Sequence, residues 1–158
     1  MFQIGDKIVY PMHGAGIIEC IEEREALGQV RKYYVMRLPL GDMKIMVPIS
    51  SVKDIGLRQV IDSDSVDKVF KILEDRSNTM TTTWNRRYRE NLDKMRSGSI
   101  FEVAEVVKNL VLREKEKGLS TGEKKMLENA RQILISELAL AGNKQVDEVL
   151  TLIRGVLA

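Results

Sequence analysis

Residues 81–96 hold the densest group of side chains that could act on a partner. The run Thr81-Thr82-Thr83-Trp84-Asn85-Arg86-Arg87-Tyr88-Arg89 contains the only Trp of the chain. Between residues 84 and 96 there are 5 basic and 2 acidic residues, a local +3 in a chain whose net charge is +2. Guanidinium groups seek phosphate oxygens, and an indole offers a flat apolar face, so the combination suits a wedge in a DNA minor groove. A Thr N-cap would start a helix at Trp84. At about 100° per residue, Trp84, Tyr88, Leu92 and Met95 then share a stripe, with Arg87 and Lys94 on one flank and Arg89 and Arg96 on the other. The competing reading is an indole sunk in a helical core with the arginines solvated. Composition leaves both open.

Catalytic chemistry finds little to work with. A Ser–His–Asp arrangement needs His13, the single His, which lies in the turn-like Pro11-Met12-His13-Gly14-Ala15-Gly16. Cys20, the single Cys, alternates with apolar residues and reads as a small packed hydrophobe. One Cys and one His cannot build an ordinary zinc site, so no metal is expected. Gly14-Ala15-Gly16 lacks the third Gly of a dinucleotide loop, and Gly122-Glu123-Lys124-Lys125 lacks the Gly-Lys-Ser/Thr ending of a phosphate loop. The expectation is a non-enzyme without cofactor or small-molecule substrate. A single Cys suits a reducing cytoplasm. No apolar stretch approaches the roughly 18 residues of a membrane span, and the first residues do not read as a signal peptide.

The elements that must position these residues divide the chain by texture. Residues 1–60 hold all 3 Pro and most of the β-branched runs. Ile8-Val9-Tyr10, Ile17–Ile21, Tyr33–Met36 and Lys44–Val47 read as strands, broken at Ala26-Leu27-Gly28 and Pro39-Leu40-Gly41-Asp42. Four or five strands in so few residues predict a small β-barrel or a strongly bent sheet. After Gly56 the period becomes helical, with stripes at Val66/Val69/Phe70/Leu73, Val103/Val107/Leu110/Val111, Met126–Leu138 and Val146–Leu157. Ser99/Glu102 and Ser120/Glu123 match the capping box, and Gly98, Gly118 and Gly142 stand where left-handed C-caps would fall. The prediction is an α+β protein: residues 1–60 form a β module and 61–158 an all-α bundle of about five helices, folding as separate units. Basic and acidic residues number 8 and 7 in the first part and 17 and 16 in the second, so wrapping DNA by bulk charge is disfavoured and any nucleic-acid binding must come from a local patch.

The chain resembles the CarD-like bacterial transcription regulators, also called CdnL. The resemblance lies in Gly5-Asp6-Lys7-Ile8-Val9-Tyr10-Pro11-Met12-His13-Gly14, in Trp84-Asn85-Arg86-Arg87-Tyr88, and in Val103-Ala104-Glu105-Val106-Val107. It continues through Gly118-Leu119-Ser120, Gly122–Leu127 and Ala130–Leu134, in the family's order over nearly the whole length. It implies a Tudor-like N-terminal module that docks on the RNA polymerase β subunit. It also implies a helical domain that places the Trp in the promoter minor groove at the upstream edge of the transcription bubble. Arg24 and the strand Lys44-Ile45-Met46-Val47 then correspond to the polymerase contact, and Arg86, Arg87 and Lys124 to DNA-contacting positions. Arg89 and Lys125 extend that basic set. Some members carry Arg where this chain has Met46.

Physical arguments stand beside the resemblance. An edge strand at 43–47 could add to a partner's sheet through main-chain hydrogen bonds, which tolerates Met46; a closed barrel would instead pair both edges. Arg24, amid Glu22, Glu23 and Glu25, reads equally as a solvated hairpin-end charge. Lys124 and Lys125 oppose the dipole of a helix that starts near residue 121. Few phosphate contacts mean weak DNA binding without polymerase, and docking would raise the local concentration to about the millimolar range.

Overall fold

The computed structural model describes residues 1–78 and 80–158. Its first half is an antiparallel sheet of five strands: β1 (Lys7–Tyr10), β2 (Gly14–Ala26), β3 (Gln29–Arg37), β4 (Lys44–Pro48) and β5 (Arg58–Gln59). The order across the sheet is β4-β3-β2-β1-β5, so β4 and β5 are its edges. This is the expected Tudor-like module, bent but left open between the two edge strands. A short 3-10 turn (Ile49–Ser51) and the one-turn helix α1 (Val52–Ile55) lead from β4 to β5. A small core of Ile8, Ile18, Tyr34, Met36, Val47 and Leu57 fills the concave side. A bulge between Ile18 and Cys20 places Glu19 beside Arg37 and Lys44, at 3.5 and 3.1 Å. Beyond Tyr33, which pairs with Pro48, β2 and β3 continue alone as a two-stranded ribbon.

The second half has five helices: α2 (Ser63–Glu74), α3 (Trp84–Arg96), α4 (Ile100–Glu116), α5 (Thr121–Ala141) and α6 (Val146–Leu157). Helices α4 and α5 are the axis of the bundle, and their apolar stripes meet around Val103, Val107, Leu110, Leu134 and Leu138. Each such buried side chain contributes about 1.5–3 kcal/mol by leaving water. Asp62 caps α2 by accepting from the Ser65 amide at 2.8 Å. That bond, with the Ser65 side chain, holds the Asp62 carboxyl below its ordinary value.

Two local expectations are corrected. Ser99 is the N-cap of α4 but makes no side-chain cap bond, so the box with Glu102 does not form. Gly142 has φ −98°, and the left-handed residue after α5 is Asn143 instead, at φ 51°. Asn tolerates that region because its short polar side chain can bond locally. The two halves are also in direct contact. Helix α5 lies directly on β1 and β2: the Ala15 amide donates to Ser136 Oγ at 2.9 Å, and Lys7 Nζ donates to the Leu140 carbonyl at 2.9 Å and to Asn143. Gly14 permits this approach, since a Cβ there would stand 2.8 Å from Ser136 Oγ.

Candidate nucleic-acid interface

Trp84 opens α3 and is 43% exposed, so it is not a core residue. Its ring stacks on Tyr88, with centroids 5.2 Å apart and planes inclined by 17°. The indole Nε1 donates to Ser120 Oγ at 2.9 Å. Ser120 is the N-cap of α5, and its capping box is complete: its Oγ accepts from the Glu123 amide at 3.2 Å and donates to Glu123 Oε1 at 3.1 Å. Gly122 lies under the stack, where a Cβ would already stand 3.5 Å from the Tyr88 ring and 3.9 Å from the indole. The indole is thus held from one side by Tyr88 and from below by the first turn of α5. Beside it runs an open groove of about 500 Å³, lined by Tyr88, Leu92, Met95 and Met126 and, from the sheet half, by Met12.

The basic residues separate into two kinds. Arg86 and Arg89 on α3, and Lys124 and Lys125 in the first turn of α5, are exposed. Arg86 makes one surface pair, with Glu90 at 3.1 Å. Arg87 departs from expectation, because it is 2% exposed. Its Nε and Nη2 donate to the two carboxylate oxygens of Glu123 at 2.8 and 3.1 Å, and its Nη1 donates to the Thr82 carbonyl at 2.9 Å. In this arrangement its guanidinium cannot reach a phosphate, so Arg87 leaves the DNA-facing set. Burial pushes the Glu123 carboxyl up, but the Arg87 hydrogen bonds and charge, aided by Ser120, outweigh it and hold the group below its ordinary 4.5. Thr83, the N-cap of α3, makes no side-chain cap bond.

The polymerase-facing candidates lie on the sheet. Strand β4 pairs with β3 and, among the described residues, with no other strand, so its outer edge is open. Lys44 and Met46 are exposed, Ile45 is half-buried, and Val47 points into the small core. Arg24 stands opposite Arg31 on the ribbon, two residues beyond the end of β4, and bonds Glu22 at 3.2 Å. The structure therefore brings Lys44–Val47 and Arg24 onto one sheet, but not into contact with each other.

Two family models divide the chain: "CarD-like/TRCF RID domain" matches residues 2–61 and "CarD, C-terminal domain" matches residues 68–154. A relative in Bacillus subtilis (strain 168), YdeB, named as a transcription factor, is 47% identical over 138 residues, covering 87% of this chain and 90% of its own. The chain belongs to the CarD family. Among solved structures, the solution structure of the 72-residue N-terminal domain of Myxococcus xanthus CarD is 32% identical over 37% of this chain and 79% of its own, with a TM-score of 0.33. CarD membership makes the chain a transcription regulator of a family that is not enzymatic, and its first domain a polymerase-interacting type.

Sequence reasoning missed Glu123 as Arg87's partner, Gly122 as the floor of the CarD indole, and the link from Ser120 to Trp84. The buried stripe of α3 is Arg87, Asn91 and Met95, rotated by about 60° from the aromatic stripe that the sequence suggests. The available signal was an Arg and an Asn at i, i+4, a polar stripe beside the aromatic one, together with a capping-box Glu that could pair with the Arg.

Proposed function

We propose that this CarD-family protein docks on the RNA polymerase β subunit through residues 1–60 and stabilises the promoter open complex through residues 61–158. The open edge of β4 adds to a strand of polymerase, and Arg24 supplies a charge beside it. The observation that carries the reading is Trp84 itself: a partly exposed indole, stacked, bonded and floored, on the two helices that also expose Arg86, Arg89, Lys124 and Lys125. Its setting supports a wedge over the alternative of a protein-only adaptor with Trp84 in the core.

The mechanism follows from differential binding. Opening a duplex leaves an unstacked step at the upstream edge of the bubble. An indole that fills this step from the minor groove binds open DNA better than closed DNA, and it shifts the equilibrium by that difference alone. A rigidly held ring loses little freedom on insertion. The basic side chains position the protein on phosphates, and the contact stays weak until polymerase docking concentrates it. This places the protein in the cytoplasm with the transcription machinery.

The experiment is open-complex half-life on one promoter at saturating protein, wild type against Trp84→Ala. A wedge contribution of about 1–3 kcal/mol predicts a roughly 5–150-fold loss of stabilisation. Polymerase pull-down should be retained. An unchanged half-life, or loss of docking together with a collapsed melting temperature, refutes the wedge.

A further inference from the structure

The residue that joins the two halves most directly is Arg58, on the edge strand β5. Its Nη1 and Nη2 donate to the two carboxylate oxygens of Glu137 at 2.7 Å each. Its Nε donates to the Gly98 carbonyl at 2.8 Å, and Nη1 also reaches the Gln59 carbonyl at 3.0 Å. Glu137 is fully buried on α5 and accepts a third bond, from the Ile61 amide at 2.9 Å. One guanidinium therefore grips α5 and the turn that ends α3, while its own backbone is part of the sheet, Arg58 pairing with Val9.

These two helices are the ones that build the Trp84 site. Trp84 starts α3, and Ser120 caps α5. Both are gripped by Arg58 well away from the indole, about 18 Å along α3 and about 25 Å along α5 at 1.5 Å per residue. A swing of about 5° on such levers moves the indole by roughly 2 Å, against a minor groove about 6 Å wide. A planar, bidentate pair resists such a swing better than the single-point contacts of Lys7 or Ser136, because its geometry fixes direction as well as distance.

We propose that Arg58 and Glu137 are positioning residues that set the angle between the sheet module and the Trp84 site. This orientation is a property of the free protein. Its consequence for transcription rests on the docking reading above: with β4 on polymerase, the pair aims the indole at the bubble edge.

The test separates aim from stability. The double variant Arg58→Met with Glu137→Met removes the pair without leaving a buried charge, a replacement that often costs little stability. Arg58→Lys keeps the charge but loses the fork, and it serves if the double variant does not fold. Spin labels at Lys53→Cys and Asp93→Cys, in full-length protein with Cys20→Ala, report the distance between the halves. The expected result is a distance distribution roughly twice as wide as wild type. Open-complex half-life at saturating protein should fall at least about fivefold, with polymerase affinity unchanged. A distribution as narrow as wild type overturns the proposal, as does a widened one with a wild-type half-life. If wild-type protein itself fails to extend the open complex, the proposed function falls, and the width of the distribution still decides whether the pair sets the angle.

Discussion

Arg87→Ala tests the division between buried and exposed arginines around Trp84. The substitution removes two hydrogen bonds to Glu123 and one to the Thr82 carbonyl, and leaves the Glu123 carboxylate buried beside an empty space. Breaking a buried pair in this way costs about 3–5 kcal/mol, most of it from the uncompensated charge. For a chain of this size, 1 kcal/mol corresponds to about 2–4 °C, so the melting temperature should fall by roughly 6–20 °C. An exposed phosphate-contacting arginine would change stability by at most about 0.5 kcal/mol. Circular-dichroism melting of wild type, Arg87→Ala and the double variant Arg87→Met with Glu123→Met decides between them. The double variant should recover most of the loss, since no charge is stranded. Iodide quenching of the single Trp should rise in Arg87→Ala, because Glu123 also steadies Ser120 and hence the indole. A melting temperature within about 2 °C of wild type would sink the reasoning and return Arg87 to the solvent.

Glu123 carries a pH signature. Its folded pKa lies below the ordinary 4.5, so its contribution is complete above that pH and is lost as pH falls through the folded value. The melting-temperature gap between wild type and Glu123→Gln should therefore narrow below about pH 4.5; a constant gap down to pH 3 would contradict the pairing. Gly122→Ala places its Cβ at ordinary contact distance from Tyr88 and should be neutral or stabilise by up to about 1 kcal/mol. Gly122→Ile adds γ carbons where a Cβ already touches the Tyr88 ring, and its fluorescence should show a displaced indole. Free protein should bind duplex DNA with a log–log salt slope of about −3 to −4, reflecting Arg86, Arg89, Lys124 and Lys125 as its phosphate contacts. Tight binding at physiological salt without polymerase would reveal a larger basic surface.

The sheet was legible because its punctuation is local. Pro11, Gly28 and Gly41 stop strands within a few residues of the sites that the structure shows, and β4 emerges as Lys44–Pro48 against an expected 44–47. The five longer helices were legible from their apolar periods, and the Ser120/Glu123 box from its spacing. What was not legible depends on pairs far apart in the chain. Arg87 meets Glu123 across 36 residues and Arg58 meets Glu137 across 79. Without the partner, an Arg beside a Trp reads as basic surface, and a Glu inside an apolar stripe reads as an irregularity. The same limit hides the contact between the halves: Gly14 and Ser136 carry no sign of it until α5 is laid on β2.

If Trp84 enters the minor groove as proposed, its hydrogen bond to Ser120 bears on which promoters respond. Tryptophan has one polar group, the Nε1–H donor, and here it is already spent inside the protein. The adenine N3 and thymine O2 acceptors of the minor groove would meet only carbon edges from this side chain. An indole so placed would be illiterate in base sequence. Selectivity among promoters would come from mechanics: a flexible TA step yields to the ring at lower cost than a stiff one, whatever letters surround it. Promoters would be ranked by how willingly their upstream step comes apart, and one protein could serve many of them without a shared recognition element.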